Sequence, residues 1–303
     1  MKARVLIKAV RAPFFTGAVI PVVLGAVYAW YARGVFLWPR FLLTVLGAVL
    51  IHGAANLIND YFDHLSGCDE LNRTPTPFSG GSRVIQEGLM TPGQVLIYSL
   101  ALFAAGGGIG LFLNYLCGTN VVLLLGVAGV GLSLVYTAGP FRMAYNGLGE
   151  IAVGIGFGPL LVAGAFYVQA QALPAGVFFV SVPMSLLIAL ILYINEFPDH
   201  DGDRAAGKRT LVVILGRKKA VAVYHAAVVL VYLSVLFLIL SRVLPFACSI
   251  VFLTLPLAAR AYMISRNNYD KVFELIPANA ITIGLHASIG VLMTAGLIID
   301  NLF

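Results

Sequence analysis

The stretch Asn56-Leu57-Ile58-Asn59-Asp60-Tyr61-Phe62-Asp63 closes an apolar run that begins near residue 41, and its reading decides the fold. A second stretch, Asn195-Glu196-Phe197-Pro198-Asp199-His200-Asp201-Gly202-Asp203, closes another apolar run that begins near residue 176. Carboxylates at the ends of membrane-length apolar segments are costly, and they mark functional sites. Together with Asp69 and Glu70, these stretches hold most of the 13 acidic residues. That concentration points to a bound cation, or to a multivalent anion held through cations.

Between and around the two stretches the chain is apolar. Of its 303 residues, 60% are hydrophobic and only 11% charged, with mean hydropathy +0.95. A soluble domain carries about 25% charged residues. The composition therefore predicts a polytopic, all-α membrane protein. The net charge of +6 does not indicate nucleic acid, because the basic residues fall in short loops between apolar segments. The basic N-terminus is followed by a stretch long enough to span, so it does not read as a cleavable signal. Cys68, Cys117 and Cys248 are dispersed and suggest neither a disulfide framework nor a zinc site.

A span needs about 20 mostly apolar residues. Nine are expected, at roughly 12–32, 41–59, 94–115, 119–138, 148–168, 176–197, 219–240, 244–263 and 277–299. With the N-terminus inside, every one of the 19 Lys and Arg residues except Arg33, Arg40 and Arg242 falls on the inner side. The inner set includes Lys2, Arg4, Lys8 and Arg11. This positive-inside bias predicts cytoplasmic acidic clusters and an outside C-terminus. The expected architecture is one domain, 1–303, with nine helices bundled around a cytoplasm-facing cavity. Its two long inner segments are 56–92 and 195–218.

On a helix, Asn56, Asn59, Asp60 and Asp63 stand at i, i+3, i+4 and i+7, which is one face. Oxygen side chains arranged so suit a hard cation such as Mg²⁺. Asn195, Asp199 and Asp203 recur every four residues, but Pro198 is expected to interrupt a continuous helix there. Arg73 and Arg83 follow the first cluster; Arg204, Lys208 and Arg209 follow the second. Cations of this kind hold phosphate oxygens directly. The run Ser79-Gly80-Gly81-Ser82 offers backbone donors for the same purpose. Tyr136, Arg142 and Tyr145 are candidates to line a polar pocket. His52 and His286 read as packing residues. An ion-coupled transporter also uses intramembrane carboxylates, and that reading stays open at this point.

The run from Asn56 to Asp63, continuing to Gly67 and Asp69, resembles the first aspartate-rich motif of the UbiA superfamily of intramembrane prenyltransferases. The run from Asn195 to Asp203, continuing through Gly207-Lys208-Arg209-Thr210-Leu211, resembles the second. Within the superfamily the pattern is most similar to the menaquinone branch, the 1,4-dihydroxy-2-naphthoate polyprenyltransferases. Three features carry this: Asp63 to Gly67 and Asp69; Phe78-Ser-Gly-Gly-Ser-Arg83-Val with Gly88; and Tyr136-Thr-x-Gly139-Pro140 leading to Gly149-Glu150. Glu196-Phe197-Pro198 stands where that branch more often has an Asn-Ile-Arg-like run.

The resemblance implies Mg²⁺-dependent transfer of a polyprenyl group from its diphosphate to a small aromatic acceptor, with no obligate protein partner. It implies Mg²⁺ ligation by Asn56, Asn59, Asp60, Asp63, Asp69, Asn195, Asp199 and Asp203. Diphosphate contacts are expected from Arg73, Arg83, Lys208 and Arg209, and catalytic roles from Asp63, Asp199, Tyr136 and Arg142. Tyr61, Phe62 and Tyr136 are the aromatic candidates to face an allylic cation. 4-Hydroxybenzoate and a glycerol-phosphate lipid are the alternative acceptors.

Overall fold

The computed structural model describes residues 3–303, so Lys2 lies outside the described residues. In lipid every backbone N–H and C=O must be satisfied within the segment, and long apolar runs answer that demand as helices. A short helix, α1 (Ala3–Ala9), precedes α2 (Thr16–Arg33) and α3 (Trp38–Leu65). Then come α4 (Cys68–Leu71), α5 (Pro92–Cys117) and α6 (Val121–Thr137). Helix α7 (Gly149–Ile155) passes through a wide turn into α8 (Leu161–Ala170), followed by α9 (Ala175–Ala205), α10 (Leu211–Leu215) and α11 (Arg217–Leu240). A 3₁₀ segment, Phe246–Thr254, leads into α12 (Leu255–Asn268), and α13 (Val272–Leu302) closes the chain. Among the described residues there is no strand.

Among the described residues, eight helical segments are long and apolar enough to span a bilayer. They match the expected spans apart from 119–138, where α6 is apolar but only 17 residues long. Local signals set the boundaries. Thr91 and Gln94 form a reciprocal capping box at the start of α5. Gly118, at φ +67°, ends that helix in a left-handed conformation that glycine adopts without strain.

Helix α9 is the central column. Its most apolar stretch is 61% buried, against 17% for α5. Leu24 of α2, Phe166 of α8, Met184 and Leu187 of α9, Tyr224 of α11 and Ile289 of α13 form the main core around it. Helices α5 and α6 flank α3 and leave Ile97, Leu100, Phe112 and Leu124 exposed, as lipid-facing surface requires.

Helix α3 runs on past the apolar span to Leu65, so the first motif rides on about its last three turns, as the one-face reading of Asn56 to Asp63 expects. One expectation about the helices changes. Pro198 does not interrupt α9, which continues to Ala205. A proline removes one N–H, here the regular partner of the Ile194 carbonyl, and Asn279 Nδ2 from α13 donates to that carbonyl at 3.0 Å. The helix therefore survives its proline, and Asn195, Asp199 and Asp203 lie along one continuous element.

Candidate active site

The ends of α3 and α9 that carry the two motifs meet at one end of a cavity of about 1020 Å³. Its polar end is lined by Asp63, Asp69, Asn195, Asp199, Asp203 and Lys208. Asn56 and Asn59 line it too. The rest is an apolar channel between α3, α5, α6 and α8. Glycines make much of its wall, and a Cβ added at Gly107, Gly110, Gly126 or Gly129 would meet nothing within 4 Å.

The carboxylates are held by identifiable donors. Tyr145 Oη donates to Asp63 Oδ1 at 2.7 Å, and Asn59 Nδ2 donates to Asp63 Oδ2 at 3.0 Å. Asn72 Nδ2 reaches Asp199 Oδ1 at 2.7 Å, and the Gly80 N–H reaches Asp199 Oδ2 at 3.0 Å. Cys68 Sγ lies 3.3 Å from Asp203 Oδ1. Lys208 Nζ sits between the motifs, 3.5 Å from Asp63 Oδ2 and 3.8 Å from Asp203 Oδ1. Burial works against the lysine charge, but Asp63 and Asp203 outweigh it and hold the ammonium pKa well above its usual value. Burial, then the Asp63 charge, pushes the Tyr145 phenol up, so it stays a proton donor. Among the described residues, no cation forms an ion pair with the Asp69 carboxylate, and the charges of Arg11 and Lys208 are outweighed. Burial, then the charges of Asp63 and Asp60, raise its pKa to about 8.

Several expected residues are placed elsewhere. Asp60 is 2% exposed, does not line the cavity, and is engaged by Arg11 and by the hydroxyl of Ser82. Its position on the flank of the α3 face brings it to the N-terminal segment instead of the cavity. Two backbone donors of the Ser79–Ser82 run go to protein carboxylates: the Gly80 N–H to Asp199 and the Ser82 N–H, at 3.2 Å, to Asp60 Oδ2, while the Ser79 N–H turns back to Thr76. Arg83 donates to the Asp69 carbonyl at 2.5 Å, which positions Asp69 and keeps the guanidinium outside the cavity lining. Arg73 and Arg209 are exposed and do not line it. Arg142 lies 3.9 Å over the Tyr145 ring and does not line it either. Tyr61 packs against the small cluster around Val10 and Leu57, and Tyr61 and Phe62 are absent from the cavity wall, whereas Tyr136 is part of it.

Arg11 and Asn72, not among the expected site residues, also meet here, as do Glu196, Glu150 and His52, which had no expected role in the site; His52 was expected only to pack. Arg11 was counted only as a topology charge, yet it lines the cavity. Asn72 orients Asp199, and nothing in its local sequence announces that. Glu196 lines the cavity beside the buried Glu150, whose two carboxyl oxygens have no hydrogen-bond partner among the described residues. His52 also lines the cavity, with Phe157 at 4.7 Å between ring centroids. His286 is fully buried in packing.

The oxygen donors at the polar end fit a hard divalent cation such as Mg²⁺. Among the described residues no three Asp, Glu, His or Cys side chains converge as a ready-made metal cage. That also suits Mg²⁺, which takes one or two carboxylates and completes its shell with water and substrate phosphates.

Fold and cavity together define a multi-pass helical membrane protein whose carboxylates open onto an apolar channel within the bundle. Residues 18–284 match the model of the UbiA prenyltransferase family, and the chain belongs to that family. It is 31% identical to 2-carboxy-1,4-naphthoquinone phytyltransferase of Arabidopsis thaliana, covering 98% of this chain and 78% of the relative. It is 28% identical to 1,4-dihydroxy-2-naphthoate octaprenyltransferase of Bacillus subtilis, covering 98% and 93%. The fold matches a UbiA homologue from Archaeoglobus fulgidus, solved bound to GPP and Mg²⁺, with TM-score 0.59, 15% identity and coverage of 96% and 99%.

Proposed function

We propose that the protein transfers a polyprenyl group from its diphosphate to 1,4-dihydroxy-2-naphthoate, with Mg²⁺ as cofactor, in a single unit spanning 1–303. The observation that carries this reading is the convergence of both aspartate motifs at one end of an apolar, glycine-walled cavity. The two naphthoate-type relatives support the acceptor. The charge asymmetry of the loops supports a cytoplasmic polar end, a cytoplasmic N-terminus and an outside C-terminus. An ion-coupled transporter holds its carboxylates near mid-bilayer, unlike the helix-end clusters here.

In this reading Asp63 and Asp69 from the first motif, and Asp199 and Asp203 from the second, would hold Mg²⁺ ions, which would supply the charge neutralisation that a diphosphate leaving group needs. Lys208 and Arg11 supply fixed positive charge at the same end, where preorganised cations lower the barrier most. Tyr145, Asn59, Asn72 and Gly80 keep the carboxylates aimed without further reorganisation. The allylic carbon then develops positive charge, and Tyr136 on the wall offers it a π face. The glycine channel shelters the tail and excludes water that would quench the cation. The acceptor ring attacks, a C–C bond forms, and loss of a proton or of carbon dioxide restores aromaticity.

The test is reconstitution with Mg²⁺, a prenyl diphosphate and an acceptor panel, with product identified by mass spectrometry. Prenylated naphthoate is expected. Normal turnover by the Asp63→Ala, Asp199→Ala double variant would sink the metal assignment.

A further inference from the structure

The kink-prone point of α9 and the polar end of the cavity are joined by one buried side chain. Asn279 of α13 is completely buried in an apolar bundle. Its Nδ2 donates to the Ile194 carbonyl at 3.0 Å and contacts Asn195 Oδ1 at 2.8 Å. The Asn279 oxygen has no partner among the described residues. A buried amide is retained in such surroundings when its remaining contacts do something.

These contacts orient both amides. A backbone carbonyl only accepts, so the Asn279 atom facing Ile194 must be nitrogen. The same nitrogen faces Asn195, so the Asn195 atom that meets it must be oxygen. Asn195 Nδ2 is therefore the free end of that side chain. It has no hydrogen-bond partner among the described residues, and it is not among the buried unpartnered atoms. Asn195 lines the cavity beside Asp199 and Asp203. An amide nitrogen donates and does not ligate a hard cation.

Resting on the prenyl-transfer reading above, we propose that Asn279 is a positioning residue that turns Asn195 into a hydrogen-bond donor toward an anionic substrate oxygen. Asn195 thereby leaves the Mg²⁺ ligand set in which the resemblance had placed it. The proline at 198 is part of the device. By freeing the Ile194 carbonyl it creates the acceptor that forces Asn279 to present nitrogen, and that choice propagates to Asn195. The anionic oxygen belongs either to the diphosphate or to the aromatic acceptor, and kinetics separates the two.

The experiment uses the full chain in detergent or proteoliposomes and compares Asn195→Asp, Asn279→Leu, their combination, and Asn279→Leu with Pro198→Ala. KM for each substrate, kcat and the half-saturating Mg²⁺ concentration are measured, along with the melting shift caused by Mg²⁺ alone. Asn195→Asp and Asn279→Leu are expected to raise the same KM by about tenfold or more, the cost of losing one specific polar contact. The affected KM identifies diphosphate or acceptor. The combination is expected to be no worse than Asn195→Asp alone, because one residue acts through the other. The Mg²⁺ melting shift and half-saturating concentration are expected to stay at the wild-type values. Tighter Mg²⁺ with unchanged KM values in Asn195→Asp would return Asn195 to the metal shell and overturn the proposal. Full rescue of Asn279→Leu by Pro198→Ala would reduce Asn279 to a helix patch and overturn it equally. Should Asn279→Leu fail to fold, Asn195→Asp still decides between donor and ligand. Inactivity of the wild-type protein toward every acceptor would instead fail the functional reading.

Discussion

Lys208 Nζ lies 3.5 Å from Asp63 Oδ2, so the loop after the second motif places its cation against the end of the first. Asp203, 3.8 Å from the same ammonium, completes a bridge between helices α9 and α3. The two motifs are thus electrostatically joined before any ligand arrives.

Replacing Lys208 tests that joint. Lys208→Met leaves Asp63 and Asp203 facing each other with no cation, and breaking a buried pair of this kind costs about 3–5 kcal/mol. The variant is expected to melt earlier than wild type without divalent cation and to gain more from added Mg²⁺. Turnover is expected to fall by about 100-fold, the typical loss of one preorganised electrostatic contact. Thermal melts with and without Mg²⁺, together with initial rates, check both.

Asp69 gives the site a pH dependence. Its pKa stands at about 8 because of burial, then Asp63 and Asp60. The empty folded protein therefore holds a proton there that the unfolded chain has released, so this group favours folding less as pH rises toward 8. Below that value Mg²⁺ must displace the proton, and apparent affinity is expected to weaken by about tenfold per pH unit. Above it the dependence disappears. Calorimetric Mg²⁺ titrations in two buffers of different ionisation enthalpy measure the released proton directly, and equal heats at neutral pH would contradict the assignment.

Asp60 and Asp63 are near neighbours in sequence with separate tasks. Asp60→Asn leaves Arg11 buried without its counter-charge and is expected to destabilise the fold by about 3 kcal/mol. The half-saturating Mg²⁺ concentration is expected to hold within about twofold, since a side chain outside the cavity makes no ligand contact. Asp63→Asn is expected to do the reverse, with a large loss of Mg²⁺ response. Denaturant melts and Mg²⁺ activation curves on the same preparations separate the two.

In the prenyl-transfer reading, the glycine wall sets room for the prenyl tail. A Cβ at Gly126 or Gly129 enters open space, so Gly129→Leu folds and fills the channel. Long prenyl diphosphates are expected to lose about tenfold or more in kcat/KM, because overpacking costs about 1–3 kcal/mol, while the shortest ones keep their rate. A chain-length series with the wild type and Gly129→Leu reads this out, and a uniform loss at every length would refute it.

The spans, both motifs and the charge asymmetry were legible in the sequence, because apolar length, 3.6-residue spacing and loop charge are properties of contiguous residues. Asp63 and Asp199 could be named for that reason. The choice of Asp69 over Asp60 for the cavity could not be read, since it depends on where Arg11 and Ser82 arrive from other parts of the chain. The same holds for Arg11, Asn72 and Glu150. Arg73 and Arg209 were attractive by proximity in sequence, yet their loops carry them outward. Pro198 shows the division most clearly. Its missing N–H is a local fact that predicts a broken helix, but α13 carries Asn279 to the freed carbonyl and the helix continues. Sequence determined which segments are long and apolar enough to enter the membrane and which residues are candidates for the chemistry. Tertiary structure decided which polar groups partner one another, because a buried donor or acceptor takes whatever neighbour packing brings within about 3 Å.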